Sequence, residues 1–195
     1  MLTLRKLFIA VICFLLGPMA YAQQFEPKWD GEVVLLDIAS DTTAVMTEKS
    51  TPQVKTSSSL GRILFGIGNV RCKAVVKGPR AQTQMAPTDS VTLIVRCKDN
   101  ATDPSTFIQI VKFEEKKKER RAELAKVNWV GDVSEGNAEL VPFHGEKYGV
   151  SSYMLTFPCA EGEYGVSVSN PDGQDEKTPL FYCFGIHAPE PTPVQ

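Results

Sequence analysis

The residues after position 22 predict an all-β fold, an antiparallel sandwich, on three observations. Apolar and polar side chains alternate in short runs, the period of a half-buried strand. Clusters of Gly, Pro, Asn and Asp separate these runs, and such residues make turns. No helical pattern alternates with the runs, as a parallel α/β fold requires. Together these point to about nine strands in an immunoglobulin-like sandwich.

In chain order the strands are expected at residues 32–38, 43–49, 71–77, 90–97, 106–113, 138–143, 150–157, 162–169 and 179–186. The alternation is clearest where Val91, Leu93 and Val95 oppose Thr92, Ile94 and Arg96, and where Tyr164, Val166 and Val168 oppose Gly165, Ser167 and Ser169. Turn signals stand at Lys77-Gly78-Pro79, Asp99-Asn100, Asp103-Pro104 and Asn170-Pro171-Asp172-Gly173. Segment 51–61 is rich in Ser and Thr and leads into Gly66-Ile67-Gly68-Asn69; Arg71 replaces the third glycine of a phosphate loop and no Rossmann unit follows, so no phosphate site is expected.

Segment 112–126 is the ambiguous element. Its residues are strong helix formers. It nevertheless continues from Phe107-Ile108-Gln109-Ile110-Val111, which is β-branched and aromatic. The reading adopted is a charged hairpin. It holds seven basic residues against four acidic ones, a solvated face in the first instance. The functional alternative is a contact patch for an acidic polymer, such as an anionic polysaccharide or lipid headgroup, formed by Lys116, Lys117, Lys118, Arg120 and Arg121.

Residues 1–22 have the three-part layout of a secretory signal: Arg5 and Lys6, an apolar run from Leu7 to Leu16, and a small-residue site ending Ala20-Tyr21-Ala22. Ten apolar residues are about half of what a membrane-spanning helix needs. Cys13 lies inside this run behind Val11 and Ile12, so it does not fit a lipid-modification site. Cleavage after Ala22 leaves 173 of the 195 residues, without a transmembrane span. They divide into one sandwich domain, 23–187, and a Pro-rich tail, 188–195. The expected location is the periplasm, the outer-membrane surface or the medium.

Loss of Arg5 and Lys6 leaves 19 of the 21 basic residues against 23 acidic ones, a formal charge of −4. That excludes a basic nucleic-acid footprint. Cys72, Cys97, Cys159 and Cys183 are an even set in a chain bound for an oxidising compartment. Of three possible connectivities, Cys72 with Cys97 and Cys159 with Cys183 is preferred, since each pair joins strands about 25 residues apart. No C-x-x-C spacing occurs, and the two histidines, His144 and His187, stand at irregular distances from the cysteines. Neither a zinc site nor any other cofactor is implied.

Nucleophilic catalysis has little to draw on, because no G-x-S-x-G elbow is present and Ser151-Ser152 lies in a strand pattern. Glu161, Glu163, Asp172, Asp175 and Glu176 offer carboxylates for glycoside hydrolysis, but an acidic loop rim is their commoner meaning. Trp29, Trp129, Tyr148 and Tyr153 fit core packing first and a sugar-stacking platform second. Asn100-Ala101-Thr102 matches the N-glycosylation pattern. Asp41-Thr42-Thr43 and Asp89-Ser90-Val91 match a short O-glycosylation pattern of some exporting Gram-negative anaerobes.

The strings Gly162-Glu163-Tyr164-Gly165-Val166 and Phe181-Tyr182-Cys183-Phe184-Gly185-Ile186, with Lys98 to Pro104 and the stretch 107–121, resemble a group of exported β-rich proteins of Gram-negative gut-type anaerobes. The similarity spans roughly residues 31–187. It implies export and β architecture and transfers no catalytic or binding residue; as aromatic residues of a sandwich strand, Tyr164 and Phe184 are expected to face the core. The expected function is a binding or interaction module for an envelope protein or polysaccharide. The alternative is a small extracytoplasmic hydrolase of glycan or peptidoglycan using loop carboxylates or His144.

Overall fold

The structure, a computed structural model, describes residues 25–37, 43–57, 70–127, 133–169 and 180–188. The expected signal segment 1–22, Trp129, the acidic residues Asp172, Asp175 and Glu176, and the tail beyond Ala188 lie outside them. Among the described residues there are fifteen strands, one short 3-10 turn and no α-helix. The strands are β1 (Val33–Asp37), β2 (Thr43–Met46), β3 (Glu48–Ser50), β4 (Gln53–Ser57), β5 (Val70–Lys77), β6 (Gln84–Met85), β7 (Ser90–Arg96) and β8 (Ile108–Glu115). They continue with β9 (Glu119–Val127), β10 (Val133–Glu135), β11 (Glu139–Leu140), β12 (His144–Tyr148), β13 (Ser152–Pro158), β14 (Gly162–Val168) and β15 (Phe181–Ile186).

The all-β antiparallel sandwich is as the sequence predicts, with more and shorter strands than the expected nine. One sheet has the order β12-β13-β7-β1-β2 and the other β3-β15-β14-β8-β9-β5-β4. Short β10, β11 and β6 pair with β9, β8 and β15, the last in parallel. Residues 43–49, expected as one strand, divide into β2 and β3 at Thr47. Its backbone N–H and hydroxyl both donate to Val33 O, and the chain then leaves β1 for β15 in the other sheet.

The core has two parts, and β8 and β15 contribute to both. Side chains of successive strand residues point to opposite faces. From β15, Tyr182, Phe184 and Ile186 join Val33, Leu93 and Leu155 in one cluster, while Phe181 and Cys183 join Val76, Phe113 and Ala122 in a second. Ile108 and Ile110 of β8 face the first cluster, and Val111 and Phe113 the second. This explains why all six residues of β15 are buried and its sequence is apolar rather than alternating. Tyr164 and Phe184 face the core as expected, stacked with centroids 5.4 Å apart. Such a pair contributes about 0.5–1.5 kcal/mol beyond its buried area.

The charged segment 112–126 is a hairpin. Its strands share only two pairings, Glu114 with Arg121 and Glu115 with Arg120, and then splay. β8 continues between β14 and β11, whereas β9 continues between β5 and β10.

Candidate functional site

The hairpin turn carries the chain's densest positive charge. Lys116 N–H donates to Glu119 O at 2.9 Å, closing the turn and leaving Lys116, Lys117 and Lys118 exposed. A neighbouring turn is clamped to it, because Gly78 N–H donates to Lys118 O at 3.0 Å. Gly78 has φ 86°, which favours glycine. Cross-strand position places Lys77 opposite Glu119. Lys116 pairs with Glu114. Arg121 and Lys55 pair with Glu119, whose carboxyl their hydrogen bonds hold below its ordinary range. Lys77, Lys117 and Lys118 are exposed and make no ion pair among the described residues.

Arg120 departs from the expected contact patch: its side chain is wholly buried. Strand parity is the reason. Arg120 shares the inward face of β9 with Ala122 and Leu124, while Glu119 and Arg121 turn the other way. Its guanidinium donates through Nη1 to Glu163 Oε2 at 3.2 Å and through Nη2 to Glu48 Oε1 at 3.0 Å and Lys77 O at 3.4 Å. Glu163, also fully buried, accepts further from Ala81 N–H at 2.7 Å and Gln84 Nε2 at 3.0 Å, and its Oε1 lies 3.0 Å from His187 Nε2. Glu48 also accepts from Ser50 Oγ at 2.7 Å and Gln82 N–H at 2.6 Å. Burial raises the Glu48 pKa, but these donors and Arg120 together outweigh it and hold the carboxyl below its ordinary range.

The network ties β9, β14, β3 and the end of β15 to the segment around residues 81–84. Gly185 leaves room for it, since a Cβ there would stand 2.3 Å from both Glu163 Oε1 and Gln84 Nε2. Sequence reasoning missed the network. Glu163 was one carboxylate among several, and His187 stood at the edge of the tail.

Where the hairpin splays, a cleft of about 490 Å³ opens over Phe113, Ala122 and Ala138. Its charged walls are cross-strand neighbours of opposite sign: Lys73 with Glu123, Glu114 with Arg121, and Lys112 with Glu139. Lys73 and Glu123 form an ion pair at 3.9 Å, Arg121 and Glu114 are paired instead with Glu119 and Lys116, and three basic against three acidic side chains leave the walls without a net formal charge.

The remaining candidates do not converge. His144 is exposed in β12, 3.2 Å from Glu146, and Glu161 lies exposed beside β14. Among the described residues no group of three or more His, Cys, Asp or Glu is arranged to hold a metal ion, and no helix is long and apolar enough to cross a membrane. Tyr153 packs in the core with its hydroxyl donating to Thr102 O, and Tyr148 is half-buried. Trp29, expected in the core, is 61% exposed. The Asn100 amide donates to Gly149 O and Ser152 O.

Neither expected disulfide is formed: Cys97, Cys159 and Cys183 are free thiols. Cys97 packs in the first core cluster and Cys183 in the second. Cys159 borders the first cluster, its Sγ accepting from Thr88 N–H at 3.4 Å. Spacing of about 25 residues gave strand separation but not the face each sulfur occupies.

No protein-family model matches the chain, and no curated protein is similar to it.

Proposed function

We propose that the chain is an exported binding module that holds an anionic polysaccharide at the paired turns of residues 77–80 and 116–118. The carrying observation is that Lys77, Lys117 and Lys118 are exposed without ion pairs among the described residues, on turns fixed to each other through Gly78 and Lys118. The Arg120 network anchors the base of that hairpin, so the ammonium groups sit on a fixed support and lose little backbone freedom on binding. Arg121 and Lys116 are already paired with carboxylates and contribute less. Export rests on the signal-like segment 1–22, and membership of the exported β-rich group on the C-terminal strings given above.

Polygalacturonate binding by the mature chain tests this. Replacing Lys77, Lys117 and Lys118 with Gln should weaken binding at least about tenfold while the melting temperature stays nearly constant, because exposed charges contribute little to stability. Binding should also fade as salt rises, since screening acts beyond about 8 Å at physiological ionic strength. Binding that survives both changes would move the contact away from the turns.

A further inference from the structure

The other end of the sandwich presents a second surface, with different chemistry. Strand β8 runs from the 3-10 turn at Pro104–Thr106 to the lysine turn, and its eight residues cover roughly 26 Å. Near its start lie three loops: residues 25–32, 97–103 and the turn before β13.

These loops are locked together. Gly31 N–H donates to Arg96 O at 2.7 Å, Arg96 N–H to Glu32 O at 3.0 Å and Arg96 Nη1 to Pro27 O at 3.2 Å. The carboxylate of Glu26 accepts from Ser152 Oγ at 2.7 Å and Ser151 N–H at 3.3 Å, and lies 3.6 Å from Arg96 Nη1. Asn100 reaches Gly149 O and Ser152 O from the third loop. Gly149, at φ 58°, lets the turn close against Glu26, whose carboxylate lies 3.0 Å from where a Cβ would stand.

On this fixed support the two most exposed of the large apolar side chains among the described residues stand on neighbouring loops: Trp29 at 61% and Val150 at 69%. The Trp29 backbone is held by Glu32, whose carboxylate accepts its N–H at 2.9 Å and whose own N–H donates to Trp29 O at 3.1 Å. Lys28 Nζ lies 5.0 Å from the ring centroid. Carboxylates outnumber free cations around it. Glu26, Asp30, Glu32, Asp99 and Asp103 of these loops stand against Lys28, Lys98 and the adjoining Arg96, which is itself held by Glu26, Pro27 and Asp30.

We propose that this end is a binding site for a neutral saccharide, with Trp29 as the stacking surface. The apolar C–H face of a pyranose matches an exposed indole face, and its hydroxyls match acceptors such as Asp30 and Asp99. The acid excess disfavours a phosphorylated or uronic ligand. It disfavours an anionic lipid surface too, and one indole with one valine is little apolar area for insertion into a bilayer.

The test uses the mature chain titrated with cellohexaose, maltohexaose, xylohexaose and mannohexaose, and separately with phosphatidylcholine vesicles. Calorimetry should find at least one hexaose bound, with little dependence on salt. Trp29→Ala, an exposed change in a loop, should lower that affinity about tenfold or more at unchanged melting temperature. Trp129→Phe should leave Trp29 emission to report the same titration. The triple Gln variant of the lysine turn should keep its saccharide affinity, which separates this site from the polyanion contact. Failure of all four hexaoses to bind, or equal affinity in Trp29→Ala, overturns the proposal. Binding to vesicles alone assigns the surface to a membrane and overturns it as well.

Discussion

Arg120 Nη1 and Glu163 Oε2 face each other at 3.2 Å, with neither side chain exposed to solvent, although 42 residues separate them in the chain. A buried pair of this kind is a poor place to remove one partner, because the other charge is left without compensation. Arg120→Met should therefore lower stability by about 3–5 kcal/mol in chemical denaturation. Arg121→Met, one residue on and paired at the surface, should cost less than about 1 kcal/mol. Equal costs in the two variants would remove strand parity as the explanation.

Gly185 gives an independent handle on the same network. A methyl group at this position meets Glu163 and Gln84 at 2.3 Å, so one of them must move. Gly185→Ala should destabilise by about 1–3 kcal/mol, the usual range for overpacking a close-packed site. Adding Gln84→Ala should recover part of the loss in the same denaturation experiment, because it removes one of the two obstructions.

The pH dependence has a defined sign at Glu48. Its folded pKa lies below the ordinary glutamate value of 4.5, so the stability it contributes is present above that value and is lost as pH falls through the lower, folded pKa. Thermal melts should show stability decreasing below about pH 4.5, with a shallower decrease in Glu48→Gln. An unchanged slope would show that other carboxylates dominate the acid limb.

The free thiols should differ in reactivity. Burial pushes the Cys183 thiol up to about 12 and the Cys97 thiol up to about 11, the latter helped by Asp30 and Asp99. The thiolate is the reactive species, so both should resist alkylation at pH 8 in the folded protein. Cys159, half-buried, should label first in a mass-spectrometric time course. Labelling of Cys183 before denaturant is added would contradict its packing beside Phe113 and Phe181.

Strands with an apolar face were legible in the sequence. Residues 90–97 and 162–169 mark β7 and β14 to within one residue, because Val91, Leu93, Tyr164 and Val166 alternate into the core. Strand β4 was hidden, since Gln53-Val54-Lys55-Thr56-Ser57 carries almost no apolar signal. β12 was hidden as well, being a polar edge strand with exposed His144, Glu146 and Lys147. The candidate site was legible as a charged hairpin but not in its division of labour. By composition Arg120 and Arg121 are equivalent. Counting alternate residues back from Ala122 and Leu124 would have placed Arg120 inside. Its partners Glu48 and Glu163 lie in distant strands, and only the sheet order brings them together.

The splayed hairpin bears on where the chain can be opened. β8 keeps β14 and β11 as hydrogen-bonding neighbours, β9 keeps β5 and β10, and the two strands share only two residue pairs beside the turn. A break in the backbone at Lys117 therefore removes a tether and almost no ladder. Exposed turns of this sort accept new chain ends and inserted domains. The lysine turn is thus the natural point at which to divide the molecule into two fragments that reassemble, or to graft a reporter between β8 and β9.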